Sequence, residues 1–139
     1  RIEMRITVSN CEVINSKDIY IHDCILEDFR FFRNEKILHL EFSEDKQEQP
    51  AANRKFSVDF LTVIGFEMTS GDFWGSSPYV LDFEYIDRKS MTLIPKLFDK
   101  KHQNNYQFFP LTDQADYFET VITFTSGDQL CIACKEIVL

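Results

Sequence analysis

Two cysteines three residues apart are the first candidates for chemistry. Cys131-Ile132-Ala133-Cys134 has the spacing of a zinc knuckle or a redox pair. Either use needs a turn or a helix start to bring the sulfurs together. Here the pair lies inside an alternating strand pattern, where residues three apart point to opposite faces. The chain has no second C-x-x-C and no H-x-x-H. The pattern therefore predicts two packing residues, with no structural metal. His22, His39 and His102 lie far apart and, with Cys11 and Cys24, show no metal-ligand spacing. His22-Asp23 reads as an imidazole–carboxylate pair only if the two face one another. Neighbours on a strand do not, so a structural role is expected.

Other catalytic signatures are absent from the sequence. There is no G-x-S-x-G, no glycine-rich phosphate loop and no EF-hand spacing. No catalytic residue and no cofactor is predicted. Acid pairs occur at Glu27-Asp28, Asp82/Glu84 and Asp113/Asp116. Without a cleft to raise one pKa, such pairs form a solvated face. Among the aromatics, Tyr79 and Tyr85 fit a β core. Trp74 lies between Gly71 and Gly75 in a loop and is the better interface candidate.

The charge balance narrows the partners. The chain has 139 residues and a formal net charge of −8. Nucleic acid would be repelled, so none is expected as a partner. A basic protein is the natural complement. Residues 111–139 carry five acids, Asp113, Asp116, Glu119, Asp128 and Glu136, against Lys135 alone. Asp113, Asp116, Glu119 and Asp128, with Trp74, are the candidate partner-binding residues. The opposing explanation is that these acids only keep a phenylalanine-rich protein soluble.

The length predicts one domain, 1–139, with a core large enough to fold alone. Such a domain does not need disulfide staples, so the four cysteines read as free thiols in a reducing compartment, the cytoplasm. No apolar run reaches transmembrane length, and no membrane partner is expected. The first residue is Arg1, so a processed leader stays open.

The elements that would position these residues are strands. Lys55 to Met68 is the organising stretch. Phe56, Val58, Phe60, Ile64, Phe66 and Met68 share one parity, which predicts a long central strand with a bulge or bend at Gly65. Ile2 to Ile14 predicts a first strand that breaks near Ser9-Asn10 and resumes through Val13. Tyr79 to Asp87 predicts a strand with Tyr79, Leu81, Phe83 and Tyr85 inward. Met91 to Ile94 reads as a short run stopped by Pro95, and Lys96 to Tyr117 as irregular apart from one helical turn near Asp113.

Two hairpins are specific enough to give registers. A loop at Asn34-Glu35 sets Phe31 opposite Leu38 and Phe29 opposite Leu40. A three-residue loop, Thr125-Ser126-Gly127, sets Ile122 against Leu130 and Thr120 against Ile132, with Gly127 left-handed. A further bulge is expected near Glu136-Ile137. The fold predicted is all-β: an antiparallel sandwich or open barrel of about eight strands, with one or two short helical turns.

The segments Ile21–Phe29 and Ile37–Phe42, with the closing Phe124-Thr125-Ser126-Gly127-Asp128-Gln129-Leu130, resemble small all-β bacterial immunity proteins of polymorphic-toxin systems. The resemblance covers about a third of the chain. It implies a cytosolic, non-catalytic protein that blocks a toxin by binding it. Two other functions fit the composition. One is a small-ligand binder with a phenylalanine-rich pocket, and the other is an enzyme without a familiar motif.

Overall fold

Among the described residues, nine strands form two antiparallel sheets that do not close on one another. The structure, a computed structural model, describes residues 3–16, 19, 21–45, 49–69, 79–104 and 111–139, with backbone alone for residue 50 and residues 101–104. Strands β1 (Arg5–Thr7), β2 (Ile25–Phe32), β3 (Ile37–Ser43), β4 (Lys55–Leu61) and β9 (Glu136–Val138) make a five-stranded sheet in the order β1-β9-β4-β3-β2. Strands β5 (Gly65–Met68), β6 (Val80–Ile86), β7 (Phe118–Phe124) and β8 (Gln129–Cys134) make the second sheet in the order β5-β8-β7-β6. The core between them holds Leu38, Leu40, Phe42, Val58, Phe60, Phe118, Ile122, Phe124, Leu130 and Ile132, all almost fully buried. The phenylalanines that suggested a pocket are thus largely the packing between the sheets.

Lys55 to Met68 is two strands, one in each sheet. β4 is the middle strand of its sheet, as the central place predicted for this stretch requires. At Thr62, whose φ is +51°, the chain turns and crosses to the other sheet as β5. The predicted bend is real but lies three residues before Gly65. Crossing it slips the parity. Val63 enters the main core, while Ile64 packs on the opposite side of the second sheet. The closing strand does the same. The break expected near Glu136 is a transfer from β8 in one sheet to β9 in the other.

Both predicted hairpin registers hold. Phe31 pairs with Leu38 and Phe29 with Leu40. Ile122 pairs with Leu130 and Thr120 with Ile132. Gly127 has φ +90°, its N–H bonds to Phe124 O at 2.9 Å, and the Phe124 N–H bonds to Asp128 O at 2.9 Å. That is a type I turn closed by a left-handed glycine.

Three expectations need correction. Val13 belongs to a 3-10 turn, Cys11–Asn15, and not to a resumed strand. In β6 a bulge between Val80 and Asp82 exchanges the faces. Val80 is buried, and Leu81, expected inward, is 51% exposed. Pro95 does not stop a strand but lies in the first turn of a helix, α1 (Leu93–Asn104). The first turn has no intrahelical acceptor for its N–H groups, so a proline there costs no bond. Leu93, Ile94, Leu97 and Phe98 form the buried face of α1, against Ile64, Tyr117 and Ala133 on the outer side of the second sheet. The fit is close at Gly65, where an added Cβ would lie 2.6 Å from Leu97 Cδ1. The expected helical turn near Asp113 is the 3-10 turn Gln114–Asp116.

The start of α1 is held by a side chain from another element. Glu119, on β7 and 3% exposed, accepts from Ile94 N at 2.8 Å and Thr92 N at 3.4 Å. A carboxylate at a helix N-terminus satisfies orphan N–H groups and complements the macrodipole. Glu119→Ala leaves those donors buried and unpaired and should lower the unfolding free energy by about 1–3 kcal/mol. Glu119→Gln keeps an acceptor and should cost less. Urea unfolding that ranks the two variants equal would contradict a capping role. Thr120, next to it but facing the core, has a buried hydroxyl with no hydrogen-bond partner among the described residues. Thr120→Val removes that group at constant shape and should stabilise by about 1 kcal/mol in the same measurement.

Candidate partner-binding surface

The sequence-predicted acids do not act as one display. Asp113 and Asp116 are exposed at the 3-10 turn before β7. Asp113 also caps that turn, accepting from Ala115 N at 3.3 Å. Glu119 is buried under α1, as described above. Asp128 is 4% exposed in the closing hairpin and accepts from the Ser126 hydroxyl at 2.9 Å. Both residues are therefore removed from a contact surface, because each is consumed by backbone or turn geometry. Trp74 lies outside the described residues.

Asp113 and Asp116 nevertheless join other acids. Arg88 follows β6 and donates to Gln114 O at 3.0 Å, Ala115 O at 3.1 Å and Tyr117 O at 2.7 Å. Those three bonds fasten the 113–116 turn to the end of β6. The Cys11–Asn15 turn packs along the same strand. Asn15 joins it to β6 by a bond from Tyr85 N to Asn15 Oδ1 at 2.8 Å. Along this rim Glu12, Asp82, Glu84, Asp87, Asp113 and Asp116 are all exposed. Leu81, beside Asp82 at the start of β6, has about half its surface in water. Lys89 is near the rim, and the Arg88 guanidinium, bonded to three carbonyls, keeps its positive charge at the end of β6.

Two of these acids crowd each other. Glu84 is held above the usual carboxylate range, chiefly by a side-chain hydrogen bond with Asp82 and then by burial and the Asp82 charge. Like charges on alternate residues of one strand face repel, and a proton shared between them relieves it. A cation from a partner would relieve it equally.

The cysteines match the packing reading. All four are free thiols. Cys131 packs on the helix side of the second sheet and Cys134 in the core, so the C-x-x-C pair straddles the sheet. Burial pushes all four thiols above their ordinary value, which makes them poor nucleophiles. Among the described residues no group of three or more His, Cys, Asp or Glu is arranged to hold a metal ion.

One histidine contact corrects the sequence reading of His22-Asp23, and another, at His39, was hidden in the sequence. Asp23 has φ +65°, so it is not on a strand, and its carboxylate comes within 3.5 Å of His22 Nε2. On the outer face of the five-stranded sheet His39 has a carboxylate on each ring nitrogen. Asp59 is 2.5 Å from Nδ1 and Glu41 is 3.2 Å from Nε2. Only the strand register reveals the pairing, since β3 sets His39 directly opposite Asp59 of β4. An imidazolium donates to both, so the arrangement favours a charged ring over a free base.

No protein-family model matches the chain, and no curated protein matches it. A crystal structure of an uncharacterized protein from Neisseria gonorrhoeae is similar to it, with 14% sequence identity and a TM-score of 0.49 over 99% of this chain and 95% of that one.

Burial works to discharge His39, but the bonds to Asp59 and Glu41 outweigh it and raise the pKa above the ordinary histidine value. A raised native pKa means the native state holds this proton more tightly than the unfolded chain. The contribution to stability is therefore complete below the unfolded value, about 6.5, and is lost as pH rises through the native one. An NMR titration should find His39 titrating above about 6.5, and Asp59→Asn should bring it down. A His39 pKa unmoved by that substitution would refute the pairing.

Proposed function

We propose that this chain is a non-catalytic protein-binding module that engages a basic protein through the acidic rim along β6. The observation that carries the reading is the placing of exposed Glu12, Asp82, Glu84, Asp87, Asp113 and Asp116, from three separated segments, along the length of β6, with the exposed Leu81 at its start. Rigid charge of one sign steers an opposite partner and speeds its association. An apolar side chain beside Asp82 supplies the desolvated contact that a charged rim lacks. The crowded Asp82 and Glu84 gain from a neighbouring lysine or arginine.

The resemblance to immunity proteins of polymorphic-toxin systems gives this module a role. It would neutralise a basic toxin in the cytoplasm by occupying its surface. Among the described residues no helix is long and apolar enough to cross a membrane.

The decisive variant is Asp82→Lys/Glu84→Lys/Asp116→Lys. It spares Asp113, which caps a turn. Exposed charge changes usually move stability by less than about 0.5 kcal/mol, so the variant should fold. The test is capture of proteins encoded beside the gene, followed by association kinetics with any partner. The wild type should retain a basic partner, with an association rate that falls as salt rises. The variant should associate at least about tenfold more slowly. Equal capture and equal rates for both proteins would remove the acidic rim from the function.

A further inference from the structure

A second surface has the opposite electrostatic sign. At the corner between the sheets, a groove of about 510 Å³ runs beside α1. Its apolar lining is Phe31, Ile64, Phe66, Leu97 and Leu111, with Val63 and the backbone of Gly65 at its base. Arg33, Lys36 and Lys100 complete it, and no acid is among its described lining residues. The whole chain has 23 acids against 15 bases. Three cations and no acid around one apolar groove is thus a local reversal of the molecule's charge.

We infer that this groove binds a small amphipathic anion, with an apolar body and one carboxylate. The volume is in the range of small-molecule sites, roughly 300–1,000 Å³, which are apolar with a few placed polar groups. Phe31 is 36% exposed although its ring meets Phe66 edge-on at 5.1 Å, so an apolar ligand would bury surface now in water. The cations stand on supported backbone. Arg33 and Lys36 belong to the β2–β3 turn, and Lys36 O accepts from Val63 N at 2.8 Å, which ties that turn to the corner. Lys100 is on α1, which is packed against Gly65. The supported backbone fixes where the cations start, and the ordering of their long side chains is the cost that a carboxylate must offset. The site is distinct from the acidic rim and does not depend on it.

The test uses decanoate, decyltrimethylammonium and acetate, each below any micelle concentration, in calorimetric titrations of the whole chain. Decanoate should bind saturably at one per chain, at least about tenfold tighter than the cationic tail. Acetate should give no saturable heat. Decanoate should shift the methyl NMR signals of Ile64, Leu97 and Leu111. Arg33→Glu/Lys100→Glu should weaken it about tenfold or more at an unchanged melting temperature. If that variant does not fold, Arg33→Gln/Lys100→Gln takes its place. Absence of saturable decanoate binding, equal binding of both tails, affinity unchanged in the folded variant, or methyl shifts confined to other residues would each overturn the inference.

Discussion

The ladder of hydrogen bonds that runs around the corner between the sheets is the constraint on which the rest depends. Two strand pairs meet there, β4 with β9 and β5 with β8. They are one antiparallel ribbon bent through the corner. The bond from Lys135 N to Leu61 O, at 3.2 Å, and that from Ile64 N to Ala133 O, at 3.0 Å, flank the bend. Buried backbone groups must be paired, so neither strand can bend alone. Thr62 adopts a left-handed conformation to make the turn, which a β-branched residue accepts only when its surroundings fix it. With the ribbon bent, each half reaches a different sheet, and the inner faces of both sheets come together over Phe60, Phe118 and Phe124.

The outer side of the second sheet follows from this corner. Its apolar strip, Ile64, Cys131 and Ala133, would face water without a cover, and α1 supplies one. Gly65 lets the helix approach the backbone, and Glu119 satisfies the helix start from below. A carboxylate is expensive to bury unless strong donors meet it. Two backbone N–H groups at a helix N-terminus are such donors. One acid of the C-terminal segment is therefore structural, although its sequence neighbours suggest a surface.

Surface charge is sorted by the same geometry. Turns fastened to the end of β6 by Arg88 and along it by Asn15 gather acids on one rim. The β2–β3 turn and α1 gather cations around the corner groove. The outer face of the five-stranded sheet carries mixed charges that pair locally, as in Arg5 with Glu136 at 2.7 Å and His39 with Asp59. Its exposed pairs contribute little to stability, since solvent screens them. Acids predominate along β6, and the described lining of the groove holds cations and no acid.

Local pattern determined the strand class, both hairpin registers and the packing role of the C-x-x-C pair. Each depends on the period of two and on turn chemistry within a few residues, as with Gly127 at its left-handed position. The sequence also marked 55–68 and 129–138 as broken runs, but not that both breaks lie at one corner. Alternation is the same whether a strand continues in its sheet or leaves for another. Tertiary structure alone decided that Pro95 opens a helix, because its apolar face needed the uncovered side of the second sheet. It also decided that Glu119 and Asp128 are buried and that the turns holding Glu12 and Asp116 are fastened to β6. Net charge counts acids along the chain, whereas a contact surface depends on which backbone groups have already claimed them.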